Sequence, residues 1–309
     1  MSAEYRIKTF SALTEKEVSA LYEFCNSQQI EDFYSDLNEM KKYYSSNVLN
    51  KGENHFSLWV NDDIKACGGY VDLMAKEKNE IYITQAFSAE DDKKYWELLY
   101  SNLLSSMSKR LEQAVLDKVY IKLGLRGKSS LIYSWSIDEN FIEDFDMLKL
   151  KYDLSKTSTF EDAQNLVYHE NLSLETWEIF RDIHDKAFVP IPNGGRLDSD
   201  SYEGYMTTVD DTTSNLIYYY NNVPIGISIF AKDDSEIFLD ALAVNPEFHS
   251  KGYGKLILKY LSSNLKTQGY KSIKLIVANN NAPAYNLYLK YGFVLDKIYV
   301  KWMKKSFKK

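Results

Sequence analysis

The chain has 309 residues and a formal net charge of −7, and 45% of its residues are hydrophobic and 15% aromatic. This composition excludes a disordered chain, and the negative charge argues against a broad nucleic-acid surface. Only two cysteines occur, and neither a signal sequence nor a membrane-spanning stretch is evident. We therefore expect a cytoplasmic protein that uses no metal, no membrane and no nucleic acid.

Residues 1–162 are predicted to form the first of two α/β domains. The predicted elements are helices at 15–26 and 30–44, a hairpin of strands 56–60 and 66–72, a strand at 80–87, a helix at 91–114 and a strand at 118–123. Thr14 and Glu17 have the spacing of a capping box. Residues 87–92 contain no glycine and end in three acids, so we expect a degenerate domain without a functional pyrophosphate loop.

Residues 163–309 are predicted to repeat this order of elements as a second domain, after a polar joint at 155–162. A hairpin of strands 216–220 and 224–231 turns at Asn221 and Asn222. It is followed by a strand at 237–244, a helix after residue 255, a strand at 271–277, a short helix at 282–290 and a last strand from residue 293. The repeated order suggests that the two domains share one architecture.

The second domain contains a glycine-bearing loop between a strand and a helix. Pro246 ends the strand, and Gly252 and Gly254 precede the helix. The glycines let the backbone turn its N–H groups inward, and the N-terminus of the helix adds partial positive charge, which suits a pyrophosphate. The spacing matches neither a dinucleotide-binding fingerprint nor a P-loop. Taken alone, the two glycines are equally consistent with a structural turn.

Together with a downstream segment, this loop resembles the GCN5-related N-acetyltransferase (GNAT) superfamily. The matching residues are Val244, Pro246, Gly252, Gly254, Asn281, Ala284, Leu287, Tyr288, Gly292 and Phe293. The resemblance implies two tandem acyl-CoA N-acyltransferase domains, similar in layout to mycothiol synthase, each a mixed, mostly antiparallel sheet flanked by helices. It further implies acetyl-CoA as the acyl donor and a primary amine, on a small molecule or a peptide, as the acceptor that attacks directly in a ternary complex.

The resemblance also assigns the residues that bind the cofactor. They are Leu242, Ala243, Val244, His249, Ser250, Lys251, Gly252, Tyr253, Gly254, Lys255 and Asn281. The N–H groups of the first three residues would stabilise the developing oxyanion from a splayed strand. His249 replaces the usual Arg or Gln of the family, so we expect weaker or pH-sensitive phosphate binding. Asn281 could instead cap the helix that follows it, and both roles are compatible.

Two further residues are predicted to move protons. Asp240 is an acid inside an apolar strand, and a period of two would place it on one face with Phe238 and Leu242. It could take the proton of the amine, with Glu236 as the alternate base, or it could cap a loop or pair with a buried cation. Tyr288 is the candidate acid, because its phenol pKa of about 10 lies near that of a thiol at about 8.5.

Two other functions fit the same resemblance. The chain could be a non-catalytic CoA-binding or regulatory module, or an aminoacyl transferase of related fold. An aminoacyl transferase of that kind uses charged tRNA, for which this acidic chain shows no evident basic face. The identity of the amine acceptor and the oligomeric state are left open by the sequence.

Overall fold

The computed structural model describes residues 4–30, 34–89, 93–127, 129–162, 166–191, 195–197, 202–203 and 213–307. The chain divides into two compact units, residues 1–146 with 300–309, and residues 147–299. In the described part, no helix is long and apolar enough to cross a bilayer. No group of three or more His, Cys, Asp or Glu side chains there is arranged to hold a metal ion.

The first unit is a sheet with helices on both faces. Its strands are β1 (Tyr5–Thr9), β2 (His55–Val60), β3 (Asp63–Val71), β4 (Glu80–Ser88) and β5 (Tyr120–Leu125). Its helices are α1 (Glu15–Asn26), α2 (Leu37–Tyr44), α3 (Ala75–Lys78), α4 (Lys93–Arg110), α5 (Gln113–Leu116) and α6 (Ser130–Asp138). One core includes residues of α4 and α6, and the other includes residues of α1 and α2. The predicted order of hairpin, strand, helix and strand is confirmed.

The start of α1 follows the predicted capping box. The hydroxyl of Thr14 accepts a hydrogen bond from the N–H of Glu17, and the carboxylate of Glu17 accepts one from the N–H of Thr14 at 2.9 Å. The two bonds satisfy donors that a helix start otherwise leaves without partners. The acidic stretch that replaces a glycine loop in this unit lies mostly at residues 90–92, outside the described residues.

The second unit has the same design. Its elements are β7 (Val167–Asn171), α7 (Trp177–Phe188), β8 (Thr213–Tyr220), β9 (Val223–Asp233), β10 (Glu236–Val244), α8 (Tyr253–Thr267), β11 (Ser272–Ala278) and α9 (Ala282–Tyr291). Neighbouring strands are antiparallel except for β10 and β11. Helices α8 and α9 cover one face, and α7 covers the other. Asn221 and Asn222 turn the predicted hairpin with positive φ angles of 50° and 62°.

Each unit is completed by a strand from the opposite half of the chain. The chain passes between the units within β6 (Ile142–Asp153) and within β12 (Val294–Ser306). The second part of β6 pairs with β11, and the second part of β12 pairs with β5. This grouping differs from the expected division after residue 162. A polar joint marks a break in the local pattern, whereas strand pairing is decided by contacts between distant segments.

Candidate functional site

The candidate site lies where strands β10 and β11 separate. The two strands pair in parallel only as far as Leu239 opposite Leu275. Beyond that point β10 continues beside β9, while β11 stays paired with β6. The register of β10 on β9 shifts between Leu239 and Ala241, so Asp240 is the extra residue of a β-bulge. The expected splayed strand is therefore present in this unit.

The bulge also exchanges the faces of the side chains along β10. Leu239, before the bulge, packs in the cluster of α8 and α9, whereas Ala243, after the bulge, packs in the cluster of α7. Leu242 therefore lies on the same face as Leu239. The prediction that Phe238, Asp240 and Leu242 share one face is wrong, because the period of two holds only within an uninterrupted strand.

The open edge of β10 presents the N–H groups of Leu242 and Val244. The N–H of Asn245 donates to the carbonyl oxygen of Ile225 in β9 at 2.9 Å. Since successive N–H groups point to opposite edges of a strand, the N–H of Ala243 points to β9 as well. Those of Leu242 and Val244 point to the edge that β11 has left. The strand thus offers two of the three expected oxyanion donors.

The loop before α8 has a left-handed backbone at two positions. Ser250 has a φ of 61°, and Gly252, the N-cap of α8, has a φ of 87°. A β-carbon on Gly252 would meet no atom within 4 Å, so the backbone conformation alone favours glycine there. Left-handed residues in such a loop turn N–H groups to one side, and the first N–H groups of α8 have no partner within the helix. This geometry suits the oxygens of a pyrophosphate.

Two basic side chains of the loop bond to the loop itself. Nε2 of His249 donates to the carbonyl oxygen of Val244 at 2.9 Å, so in the neutral imidazole Nδ1 is an acceptor and has no N–H to offer a phosphate. Nζ of Lys251 donates to the carbonyl oxygen of Glu247 at 2.8 Å. Lys251 would have to give up its bond in order to pair with a phosphate.

Two other lysines are better placed for phosphate groups. Lys255, in the first turn of α8, and Lys290, near the end of α9, are exposed and line the same cleft. Only Lys255 was predicted. Lys290 had no signal in the sequence, since a basic residue in the last turn of a helix is common for reasons of the helix dipole.

Helix α9 places Asn281 and Tyr288 in the cleft. The side-chain oxygen of Asn281 accepts a hydrogen bond from the N–H of Ala284 at 3.4 Å, which confirms the cap. Asn281 also lines the cleft, and its contact with the cofactor stays a prediction. Tyr288 is 6% exposed, and its ring packs against Phe293 with centroids 5.3 Å apart. Burial raises the pKa of Tyr288 well above its usual value of 10, so the phenol is protonated at neutral pH.

The two candidate bases have opposite environments. Glu236 accepts hydrogen bonds from Nζ of Lys151 at 2.8 Å, from Lys274 and from Ser272. These bonds, that of Lys151 first, lower the pKa of Glu236 to about 2. Asp240 is exposed at the bulge, yet the protein crowded around it raises the pKa of Asp240 to about 6 by desolvation. Asp240 is thus the better base near neutral pH.

The strand edge, the loop and α9 enclose a cleft of about 730 Å³ within the second unit. Every predicted cofactor-binding residue except Lys251 lines it, and so does Tyr288, but Asp240 does not. A further wall of the cleft, which the sequence did not predict, is formed by Phe188 at the end of α7 and by Pro190 and Ile191 after it. Apolar residues at and just after the end of an amphipathic helix are an ordinary core signal, so nothing local marked them as part of a site.

Comparison with known proteins places the matched family in the second unit. Residues 176–293 match the model of the acetyltransferase (GNAT) family. The [ribosomal protein bS18]-alanine N-acetyltransferase of Salmonella typhimurium is 36% identical over 61 residues, which cover 20% of this chain and 40% of that enzyme. The chain spans 40% to 60% of the length of the curated relatives that it matches.

Two solved structures have the same fold over nearly the whole chain. A GCN5-related N-acetyltransferase from Sphaerobacter thermophilus has a TM-score of 0.70 at 11% identity, covering 99% of this chain and 96% of its own. A tandem GNAT protein from the clavulanic acid biosynthesis pathway has a TM-score of 0.64 at 9% identity and is covered, like this chain, over 99% of its length. Residues 176–293 therefore form a domain of the acetyltransferase (GNAT) family, and the two solved structures show that the chain as a whole has the fold of these proteins.

Proposed function

We propose that the second unit transfers the acetyl group of acetyl-CoA to a primary amine by direct attack in a ternary complex. The observation that carries the proposal is the convergence of three features on one cleft: the open edge of β10, the loop at Ser250 to Gly252, and Tyr288. A cleft of about 730 Å³ lies within the usual range for cofactor sites. The residues present therefore fit a CoA thioester.

The chain's groups can serve each part of the reaction. The N–H groups at the loop and the first turn of α8 would hold the pyrophosphate, with Lys255 and Lys290 near the other phosphate oxygens. The N–H groups of Leu242 and Val244 would stabilise negative charge on the carbonyl oxygen as the amine attacks.

Proton transfer falls to Asp240 and Tyr288. Asp240 lies on β10 but does not itself line the cleft, so we propose that it takes the proton of the amine through a water molecule. When the C–S bond breaks, the hydroxyl of Tyr288 donates to the departing thiolate. The raised pKa of Tyr288 favours stabilisation by a hydrogen bond over complete transfer of its proton.

The proposal is tested by measuring thiol release from acetyl-CoA against a panel of amines. The panel contains small amines, amino acids and a peptide that begins with alanine, because one relative is named for an alanine of a ribosomal protein. We expect thiol release that depends on an amine, with acetylated product confirmed by mass spectrometry. Tight CoA binding in calorimetry without turnover on any amine would contradict catalysis and favour a non-catalytic CoA-binding module.

A further inference from the structure

The first unit contains a second strand opening with its own cavity. Strands β4 and β5 pair in parallel only as far as Ile83 opposite Leu123. The register of β4 on β3 shifts between Cys67 and Gly69, and Gln85, beside this shift, has a φ of 54°. Such strained positions persist where the surrounding structure holds them, often at ligand sites.

The cavity at this opening has a volume of about 230 Å³ and is lined by aromatic and polar side chains. Trp302 of β12 forms one side of it. A β-carbon at Gly124 would lie 2.8 Å from the Trp302 ring, so glycine at that position lets the indole lie against β5. Tyr34 and Tyr43 add two more aromatic rings to the lining.

Three buried polar atoms belong to residues of this lining and have no hydrogen-bond partner. They are Oγ1 of Thr84, Oε1 of Gln85 and Nε1 of Trp302, and the Trp302 side chain is only 7% exposed. Nε2 of Gln85 donates to the hydroxyl of Tyr34 at 2.8 Å, which holds the amide in place. Buried polar groups are normally satisfied, so three unsatisfied groups on residues that line one cavity point to a polar ligand.

The lining defines the chemistry of that ligand. Oε1 of Gln85 needs a donor, Nε1 of Trp302 needs an acceptor, and the hydroxyl of Thr84 can serve either. The guanidinium of Arg126 also lines the cavity and has five N–H donors, so it can bind a carboxylate in addition to any protein partner. The aromatic rings of Tyr34 and Tyr43 in the lining can attract a cationic group. These requirements are met together by an ammonium and a carboxylate on one small molecule.

The volume limits the size of the ligand. Since a cavity of about 150 Å³ holds benzene, about 230 Å³ accommodates about nine non-hydrogen atoms. Leucine has this size, and tryptophan exceeds it. We propose that the first unit binds a free α-amino acid no larger than leucine, with its ammonium at Gln85 and its carboxylate at Trp302 and Arg126.

The test follows the indole N–H of Trp302 by NMR in the ¹⁵N-labelled full-length protein. Glycine, L-alanine, L-valine, L-leucine and L-tryptophan are titrated in turn, and the resonance is assigned by its loss in Trp302→Phe. We expect the Trp302 signal to shift with at least one of the four smaller amino acids and not with tryptophan. The indoles of Trp96 and Trp135, which are also buried without a partner but lie outside this lining, should stay unchanged.

A second variant keeps the test decisive if Trp302→Phe does not fold. Thr84→Val removes one hydroxyl at nearly constant shape and should weaken the binding of the amino acid about three- to tenfold. Thr213→Val, in β8 of the second unit, is the matched control and should leave this affinity unchanged. The proposal is overturned if no amino acid up to about 10 mM shifts Trp302, or if calorimetry detects binding while Trp302 does not move. It is also overturned if Thr84→Val binds as tightly as the unmodified protein.

Discussion

Gly254 lies so close to Leu287 that a β-carbon at position 254 would come within 2.9 Å of Cδ2 of Leu287. The same atom would lie 3.4 Å from Cγ2 of Val244. Glycine in the first turn of α8 therefore allows this helix to approach both α9 and the end of β10. The packing at this point sets the width of the cleft, because Leu287 and Val244 both line it.

We expect Gly254→Ala to weaken CoA binding about tenfold with little change in stability. Alanine gains about 1 kcal/mol of helix propensity over glycine, which offsets much of the overpacking. Leu287 has to move, and it lines the cleft. The substitution should therefore lower the affinity for CoA, which calorimetry measures. Gly195→Ala is the control, because a β-carbon there would meet no atom within 4 Å. Recovery of affinity in Gly254→Ala combined with Leu287→Ala would support this cause, and unchanged affinity in Gly254→Ala would refute it.

Gly252 should tolerate asparagine better than valine. The space around it is open, so only its φ of 87° restricts the side chain. Left-handed backbone costs about 1–2 kcal/mol for an ordinary L-residue and is worst for a β-branched one, whereas asparagine adopts it more readily. Chemical denaturation should show that Gly252→Val lowers the free energy of unfolding by about 1–2 kcal/mol and that Gly252→Asn lowers it by less than half as much. Equal losses in the two variants would show that the backbone conformation is not the cause.

Tyr288→Phe should lower kcat about a hundredfold and leave the affinity for CoA nearly unchanged. The ring still packs against Phe293, and only the hydroxyl that we propose meets the departing thiolate is lost. Tyr285→Phe removes a hydroxyl from the same helix outside the cleft lining and serves as the control. Similar turnover in the two variants would remove Tyr288 from the mechanism.

The pH dependence of kcat/KM should identify the base. If Asp240 takes the proton, activity rises with pH through about 6, where its carboxyl ionises. This inflection should vanish in Asp240→Asn and persist in Glu236→Gln, since the pKa of Glu236 is lowered to about 2 and its carboxylate is already ionised. An inflection that survives in Asp240→Asn assigns the titration to another group.

Asp240→Asn should also change stability in a pH-dependent way. The pKa of Asp240 is raised in the folded state, so the folded chain holds the proton more tightly than the unfolded chain. The contribution of the Asp240 carboxyl to the free energy of unfolding is fully present below its unfolded pKa of about 3.9. It is lost as the pH rises through its folded pKa of about 6. Thermal denaturation should therefore show that Asp240→Asn raises the stability of the protein more near pH 8 than near pH 4. A gain that is the same at both pH values would contradict the raised pKa.

His55 should make the first unit sensitive to acid. It is fully buried against Tyr44, with ring centroids 4.3 Å apart, and neither ring nitrogen has a hydrogen-bond partner. Burial lowers the pKa of His55 from 6.5 to about 3. The unfolded chain therefore binds a proton that the folded chain excludes as the pH falls below 6.5, which removes about 2 kcal/mol of stability by about pH 5.

The variant His55→Leu measures this effect. Leucine keeps the site apolar and removes two unsatisfied nitrogens, so the free energy of unfolding should fall less between about pH 8 and about pH 5 than in the unmodified chain. His169→Leu serves as the comparison: desolvation lowers the pKa of His169 as well, but His169 is exposed and its Nδ1 lies 3.0 Å from the hydroxyl of Tyr260, so we expect a smaller change than in His55→Leu. An unchanged pH dependence in His55→Leu would show that other groups cause the acid sensitivity.

The sequence by itself determined the local elements, including the glycine loop between β10 and α8. The caps at Thr14 and Asn281, the turn at Asn221 and the end of β10 before Pro246 all depend on neighbouring residues, so composition and spacing predicted them. The tandem repeat followed from the same order of elements in each half.

Tertiary structure alone decided which strands complete each sheet and which residues meet across the site. The pairing of β6 with β11 and of β12 with β5 joins segments far apart in the chain. The bulge at Asp240 reverses the side-chain faces that a period of two predicts. The hydrogen bonds and ion pairs of Glu236 lower its pKa, which makes it a weaker candidate base than Asp240. Such features arise from contacts between distant residues, and local sequence patterns do not record those contacts.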